Sequence, residues 1–355
     1  MKRLLLGAVV ISLVSCTTID GKQRITVSKH CKQQVACFST LQQAIDSVSE
    51  STAAVIQLES GDFVEKVVIN KSHLTIVGVS KEKTRIMFGD YAGKESAPGV
   101  KLSTPGSFTV AVRATNVTLK NLSIHNTFDF LASDGLAADD PKKISGSQAV
   151  ALMIDVPSDK VNVENVGLWG YQDTLFINSG RSWFDRVLVA GNVDFIFGNG
   201  NALFTKSEIK SVGRAKPMNP TGFVTAPSTQ IKNEYGFTFI DCKLTRDASV
   251  PDNSVPLGRP WHPTTQFDDG RYADPNAIGK SVFINTWMDA HISQTGWASM
   301  SGTNKDGTRK QFLPDDSRFF EFNSTGPGAI KNEKRRQLTD VENYSPKKIL
   351  GEWFN

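Results

Sequence analysis

Along most of the chain, apolar side chains recur at alternate positions in short runs. VTLKNLSI (117–124), VNVENVGL (161–168), ALFTKSEI (202–209) and SVFINTW (281–287) are examples. Period-two alternation predicts strands, and turns rich in Gly, Asn and Asp separate them. Helical periodicity marks FSTLQQAIDSV (38–48), where Leu41, Ala44, Ile45 and Val48 share one face, and is then scarce until the C-terminal segment. Ser39 followed by Gln42 has the form of a capping box, so one short amphipathic helix is predicted there.

The strand runs resemble one another. LKNLSIHN (119–126), VENVGLWG (163–170), FDRVLVAG (184–191), FTKSEIKS (204–211) and FIDCKLTR (239–246) begin 44, 21, 20 and 35 residues apart. Two steps lie near 21, one near twice that, and one accommodates an insertion. A strand pattern returning every ~20–25 residues without intervening helices predicts stacked rungs. Propellers and sandwiches use hairpin turns and other periods. The fold class expected is all-β, a right-handed parallel β-helix whose N-terminal helix caps one open end and shields the edge strand.

In that register two aspartates coincide. GYQDTLF (170–176) aligns with GNVDFIFG (191–198), placing Asp173 and Asp194 in the same slot on consecutive rungs. Aspartate is a poor strand residue and is seldom buried without a partner. Two carboxylates this close cannot both ionise easily, so their pKa values are driven apart. A neutral acid beside a carboxylate is what acid/base or nucleophilic chemistry at one centre needs. A structural ladder satisfied by backbone N–H groups or an arginine, or a calcium site, is equally compatible with the spacing. No compact set of further carboxylates supports a metal.

Charge adds little. The formal net charge is +4, and about +2 without Lys2 and Arg3, too weak a balance to argue for nucleic acid. KNEKRR (331–336) is expected to be solvated surface. The N-terminus is more informative: Lys2 and Arg3 precede LLLGAVVISLV, then Ser15 and Cys16. A basic start and a short apolar core read as a secretory signal, too short to span a bilayer. The ending LVSC resembles a bacterial lipobox, with Cys16 as the lipidated residue, residues 1–15 as signal and 16–37 as tether. Thr17 carries no inner-membrane retention signal, which favours an outer-membrane lipoprotein. One domain is expected over 38–355. The spacing of Cys31 and Cys37 is compatible with a disulfide in an oxidising compartment but leaves the pairing open, and Cys242 reads as a small buried apolar residue.

Further segments complete a resemblance. SGSQAVAL (145–152) carries Gln148, and VPLGRPWHP (255–263) carries Arg259 and Trp261. With GYQDTLF, GNVDFIFG, GDFVEKVVI (61–69) and FFEFNSTGPGA (319–329), these resemble, in order, the signature segments of the pectin methylesterases. Those are carbohydrate esterases built on a right-handed parallel β-helix. Phe63 stands where that family usually has Tyr. The lipobox and the long segment after Gly258 look most like the enterobacterial outer-membrane lipoprotein branch.

The resemblance implies hydrolysis of methyl esters of polygalacturonate or oligogalacturonides, by a monomer without cofactor or metal. Asp194 matches the nucleophile, and Arg259 its charge-assisted partner. Asp173 matches the acid that protonates the departing methoxide and then serves as base. Gln148 and Gln172 match the donors to the oxyanion. Tyr171, Phe197 and Trp261 are candidate sugar-binding walls. His262 lacks a Ser in a Gly-x-Ser-x-Gly turn to complete a triad, and all five His are expected to be non-catalytic. Competing readings are an acyl or thioester hydrolase on the same scaffold, a lyase or glycosidase, and a non-catalytic polysaccharide-binding surface lipoprotein. The polar segment 130–146 is expected to border the cleft near Gln148 and to favour short oligomers.

Overall fold

The computed structural model describes residues 18–354 except 20, 32–35 and 51. Cys16 and the signal segment lie outside the described residues. Three parallel sheets run the length of the molecule, in rungs that visit each sheet in turn. The long sheet carries twelve strands, a second sheet eight, and a third, here called the cleft sheet, six. One full rung is Arg181–Asp185 in the long sheet, Leu188–Gly191 in the second and Ile196–Gly198 in the cleft sheet. This is a parallel β-helix, with the right-handed turn that parallel crossovers adopt.

The register is the one the repeats predict. Leu119 pairs with Val163, then Phe184, Phe204 and Phe239 on successive rungs. These positions point inward, where Phe184, Phe204, Phe239 and Phe283 stack at 4.5–4.6 Å between ring centroids. Two positions further on, the chain turns the corner into the second sheet. Asn121, Asn165, Arg186, Lys206, Asp241 and Asn285 occupy that corner, all with φ between 50° and 55°. Asn and Asp tolerate this left-handed conformation best. Asn165 also donates to the Asn121 side chain at 2.8 Å, so corner residues bond along the stack.

The helix forms at Leu41–Asp46 and buries Leu41, Ala44 and Ile45. Its cap differs from the expected one. Thr40, not Ser39, accepts from the Gln43 N–H, and the Glu65 carboxylate accepts from the N–H groups of Leu41 and Gln42. Gln42 is recruited elsewhere: its amide accepts from Val68 N–H at 2.8 Å and donates to Val68 C=O. Val68 lies on the end strand of the cleft sheet, so one side-chain amide takes the place of a missing strand partner.

Two expectations are corrected at the ends of the solenoid. Lys22–Val27, expected within a tether, is a strand of the long sheet paired with Ala54–Leu58. The solenoid therefore starts well before Phe38, because Ile25 and Val27 supply inward apolar positions. Cys31 and Cys37 form a disulfide that closes the connection after this strand. At the other end, Arg335 of KNEKRR is 1% exposed rather than solvated. It forms a two-pronged ion pair with Glu321 at 2.7 and 2.6 Å and donates to Gly328 C=O, fastening the C-terminal segment across the last strand.

Candidate active site

The two aspartates do not sit in strands. Each precedes a short cleft-sheet strand, Leu175–Ile177 or Ile196–Gly198, at a corner with φ of 65° for Asp173 and 50° for Asp194. That answers why Asp interrupts the apolar runs: a β-branched residue would be strained at positive φ. The Asp173 N–H donates to Val193 C=O, which stacks the two corners directly. Both carboxyl groups are largely buried.

Their environments differ. Arg259 donates from Nε to one Asp194 oxygen at 2.8 Å and from Nη2 to the other at 2.6 Å. Such a bidentate, charge-assisted pair fixes the carboxylate plane. The guanidinium lies 3.9 Å from the centroid of the Phe223 ring, which holds its other face. Asp173 has no such partner. Burial, then the neighbouring Asp194 charge, push its carboxyl well above the ordinary 3.8, and Arg259 opposes this only in part. The pair is thus unequal, with Asp173 pushed towards its neutral form.

Arg259 arrives from two rungs beyond Asp194. Gly258 bridges Thr225 of the preceding cleft-sheet strand, and the Arg259 N–H donates to Thr225 C=O. A Cβ at Gly258 would fall 2.2 Å from the Thr225 hydroxyl, so only glycine lets this segment close on the sheet. Gln148 and Gln172 lie on neighbouring rungs, linked by Ala149 N–H to Gln172 C=O at 3.1 Å.

These side chains meet in one cleft of about 440 Å³, a size suited to a small ligand or a few sugar units. It is lined by Gln148, Gln172, Asp173, Asp194, Arg259, Phe197 and Trp261. Tyr171 is not brought into it: its ring stacks on Phe130 at 5.3 Å and faces a neighbouring hollow. The aromatic missed in the sequence is Phe176. It lines the cleft and stacks on Phe197 at 4.3 Å, with Trp261 edge-on at 5.6 Å from Phe197. The aligned repeats carried that signal, since Phe176 and Phe197 fall in the same slot. Segment 130–146 does not form the rim. Leu131 faces the neighbouring hollow, and Asp134 is tied to Arg214. Ser103, Thr104 and Pro105 supply one wall of the cleft, and Met300 lines it too. His262 is buried, with Nδ1 on Asp274 C=O and its ring on Phe312.

Known proteins are similar to this chain over nearly its whole length. The sequence profile of the pectinesterase family matches residues 24–348. Pectinesterase A of Dickeya chrysanthemi is 41% identical over 363 residues, 99% of each chain. A crystal structure of a pectin methylesterase in complex with a hexasaccharide superposes with a TM-score of 0.89 at 43% identity, over 95% of this chain and 98% of that one. The pectin methylesterase of Yersinia enterocolitica gives 0.87 at 45%, over 90% and 100%. Fold and site together define a carboxylic ester hydrolase. The chain belongs to the pectinesterase family.

Proposed function

We propose that the protein removes methyl groups from methyl-esterified polygalacturonate or its oligomers, with Asp194 as nucleophile and Asp173 as acid and base. The observation that carries this reading is the unequal pair: Asp194 clamped by Arg259 beside a buried Asp173 that has no cationic clamp and is pushed towards its neutral form. A carboxylate oxygen of Asp194 attacks the ester carbonyl carbon. The amides of Gln148 and Gln172 donate to the oxyanion that forms. The C–O bond to the methoxy group breaks, and the Asp173 proton goes to the leaving oxygen, giving methanol. Asp173, now a carboxylate, takes a proton from water as that water attacks the Asp194 anhydride. The bond to Asp194 breaks, the galacturonate carboxyl is released, and Asp173 is again protonated. Phe176, Phe197 and Trp261 offer flat apolar faces to the pyranose rings.

A substrate panel tests the reading. Methanol release from highly methylated oligogalacturonides and from pectin is expected, with acyl thioesters left intact. Thioester hydrolysis without methanol release would overturn it, and loss of chain viscosity without methanol would point to a glycosidase.

We also propose that Cys16 anchors the chain to a membrane, on the strength of Lys2, Arg3, the apolar run and LVSC. Cys16→Ala is expected to move the protein from the membrane fraction to the soluble one; unchanged membrane association would defeat the anchor.

A further inference from the structure

A second hollow, of about 270 Å³, opens on the outer face of the long sheet, whereas the catalytic cleft lies against the cleft sheet. Its floor is a column of register partners on three consecutive rungs: Thr118, Asn162 and Trp183. Trp353 and Phe354 of the C-terminal segment form a wall, and Asn116 and Lys160 stand at the corner. The wall is pinned: Arg181 donates to Leu350 C=O at 2.8 Å, and Trp183 meets Phe354 edge-on at 4.8 Å while donating to the Thr205 hydroxyl.

What marks this hollow is its uncommitted polar groups. The Asn162 Oδ1 is buried with no hydrogen-bond partner. Lys160 makes no ion pair among the described residues, and its φ of 58° fixes it at the turn. The nearest acidic side chain in sequence, Asp159, is committed to Arg181. Among the described residues, no Asp or Glu lines the hollow. A lysine without an ion pair, the Asn162 amide, a hydroxyl and two indoles form a set that suits a pyranose ring carrying a carboxylate. An inorganic anion would use the lysine and leave the indoles idle.

We propose that this hollow is a second, non-catalytic binding site for galacturonate units bearing free carboxylates. It rests on the pectin reading of the cleft, and it would hold the enzyme on the de-esterified polymer that its own reaction produces. The full chain and its Lys160→Ala and Trp353→Ala variants would be compared for retention on immobilised de-esterified polygalacturonate. Methanol release from short methylated oligomers would be measured on the same preparations. Each variant is expected to lose roughly two- to fivefold in retention, the effect of one exposed contact, with unchanged release from the oligomers. On fully methylated polymer, Lys160→Ala should equal the parent. Parental retention by both variants, or an equal loss on the methylated polymer, would overturn the second site. A parent that releases no methanol would instead overturn the esterase reading.

Discussion

Asp173 illustrates the tension between stability and use in a single residue. Its carboxyl binds a proton more tightly in the folded protein than in the unfolded chain. Stability therefore falls as pH rises from the ordinary 3.8 towards the raised value, and levels off beyond it. Asn keeps the shape, accepts positive φ and cannot ionise. Asp173→Asn should melt at a higher temperature than the parent at neutral pH, with the difference vanishing below the ordinary carboxylate pKa. The same variant should release methanol roughly 10²–10⁴-fold more slowly, the usual worth of a positioned acid/base. In the parent, kcat/KM should decline on the alkaline side as Asp173 loses its proton. A melting difference that persists at low pH would show that Asp173 acts through packing instead. At this scale the sequence was informative about the catalytic candidates, since Asp173, Asp194, Gln148, Gln172 and Arg259 do converge. It was less informative about Tyr171. Its neighbour Phe130 comes from a distant short helix, Phe130–Asp134, and no local pattern reveals that stacking partner.

Among the elements, the rung is the unit that both folds and positions. Phe204 sits between Phe184 and Phe239, each ring about one strand spacing from the next. Phe204→Ala would leave a cavity inside a column that cannot collapse, because each rung is tied to its neighbours by strand hydrogen bonds. The expected loss is about 3–5 kcal/mol by denaturant titration, with the activity of the folded fraction preserved. A loss below about 1 kcal/mol would mean the column repacks. The alignment of five runs predicted this stacking because the inward position recurs in each. The helix cap was not legible. Ser39 and Gln42 have the right spacing, but Gln42 binds Val68 and Glu65 covers the helix start. Both partners lie more than twenty residues away. A local motif loses to a long-range contact when the latter closes a sheet edge.

For the whole molecule, a solenoid must close both ends. The N-terminal end uses the helix and the Gln42 amide, and the C-terminal end uses the buried pair of Arg335 with Glu321. Removing one member leaves an uncompensated buried charge. Arg335→Met should therefore cost about 3–5 kcal/mol, while adding Glu321→Leu should recover much of that. A double variant no more stable than Arg335→Met would show that the arginine's bond to Gly328 C=O, rather than its charge, holds the cap. The sequence could not show this burial, because a run of Lys and Arg reads as solvent-facing until its acidic partner is placed. The proposed catalytic arrangement also belongs to this scale. The rung repeat stacks Asp173 on Asp194, and two further rungs deliver Arg259. The most direct test of the account is methanol release from methylated oligogalacturonides by the parent and by Asp194→Asn, each confirmed folded by its melting transition. Rapid release by the parent and none above background by the variant are expected. Release by a folded Asp194→Asn protein at a rate near the parent's would contradict it.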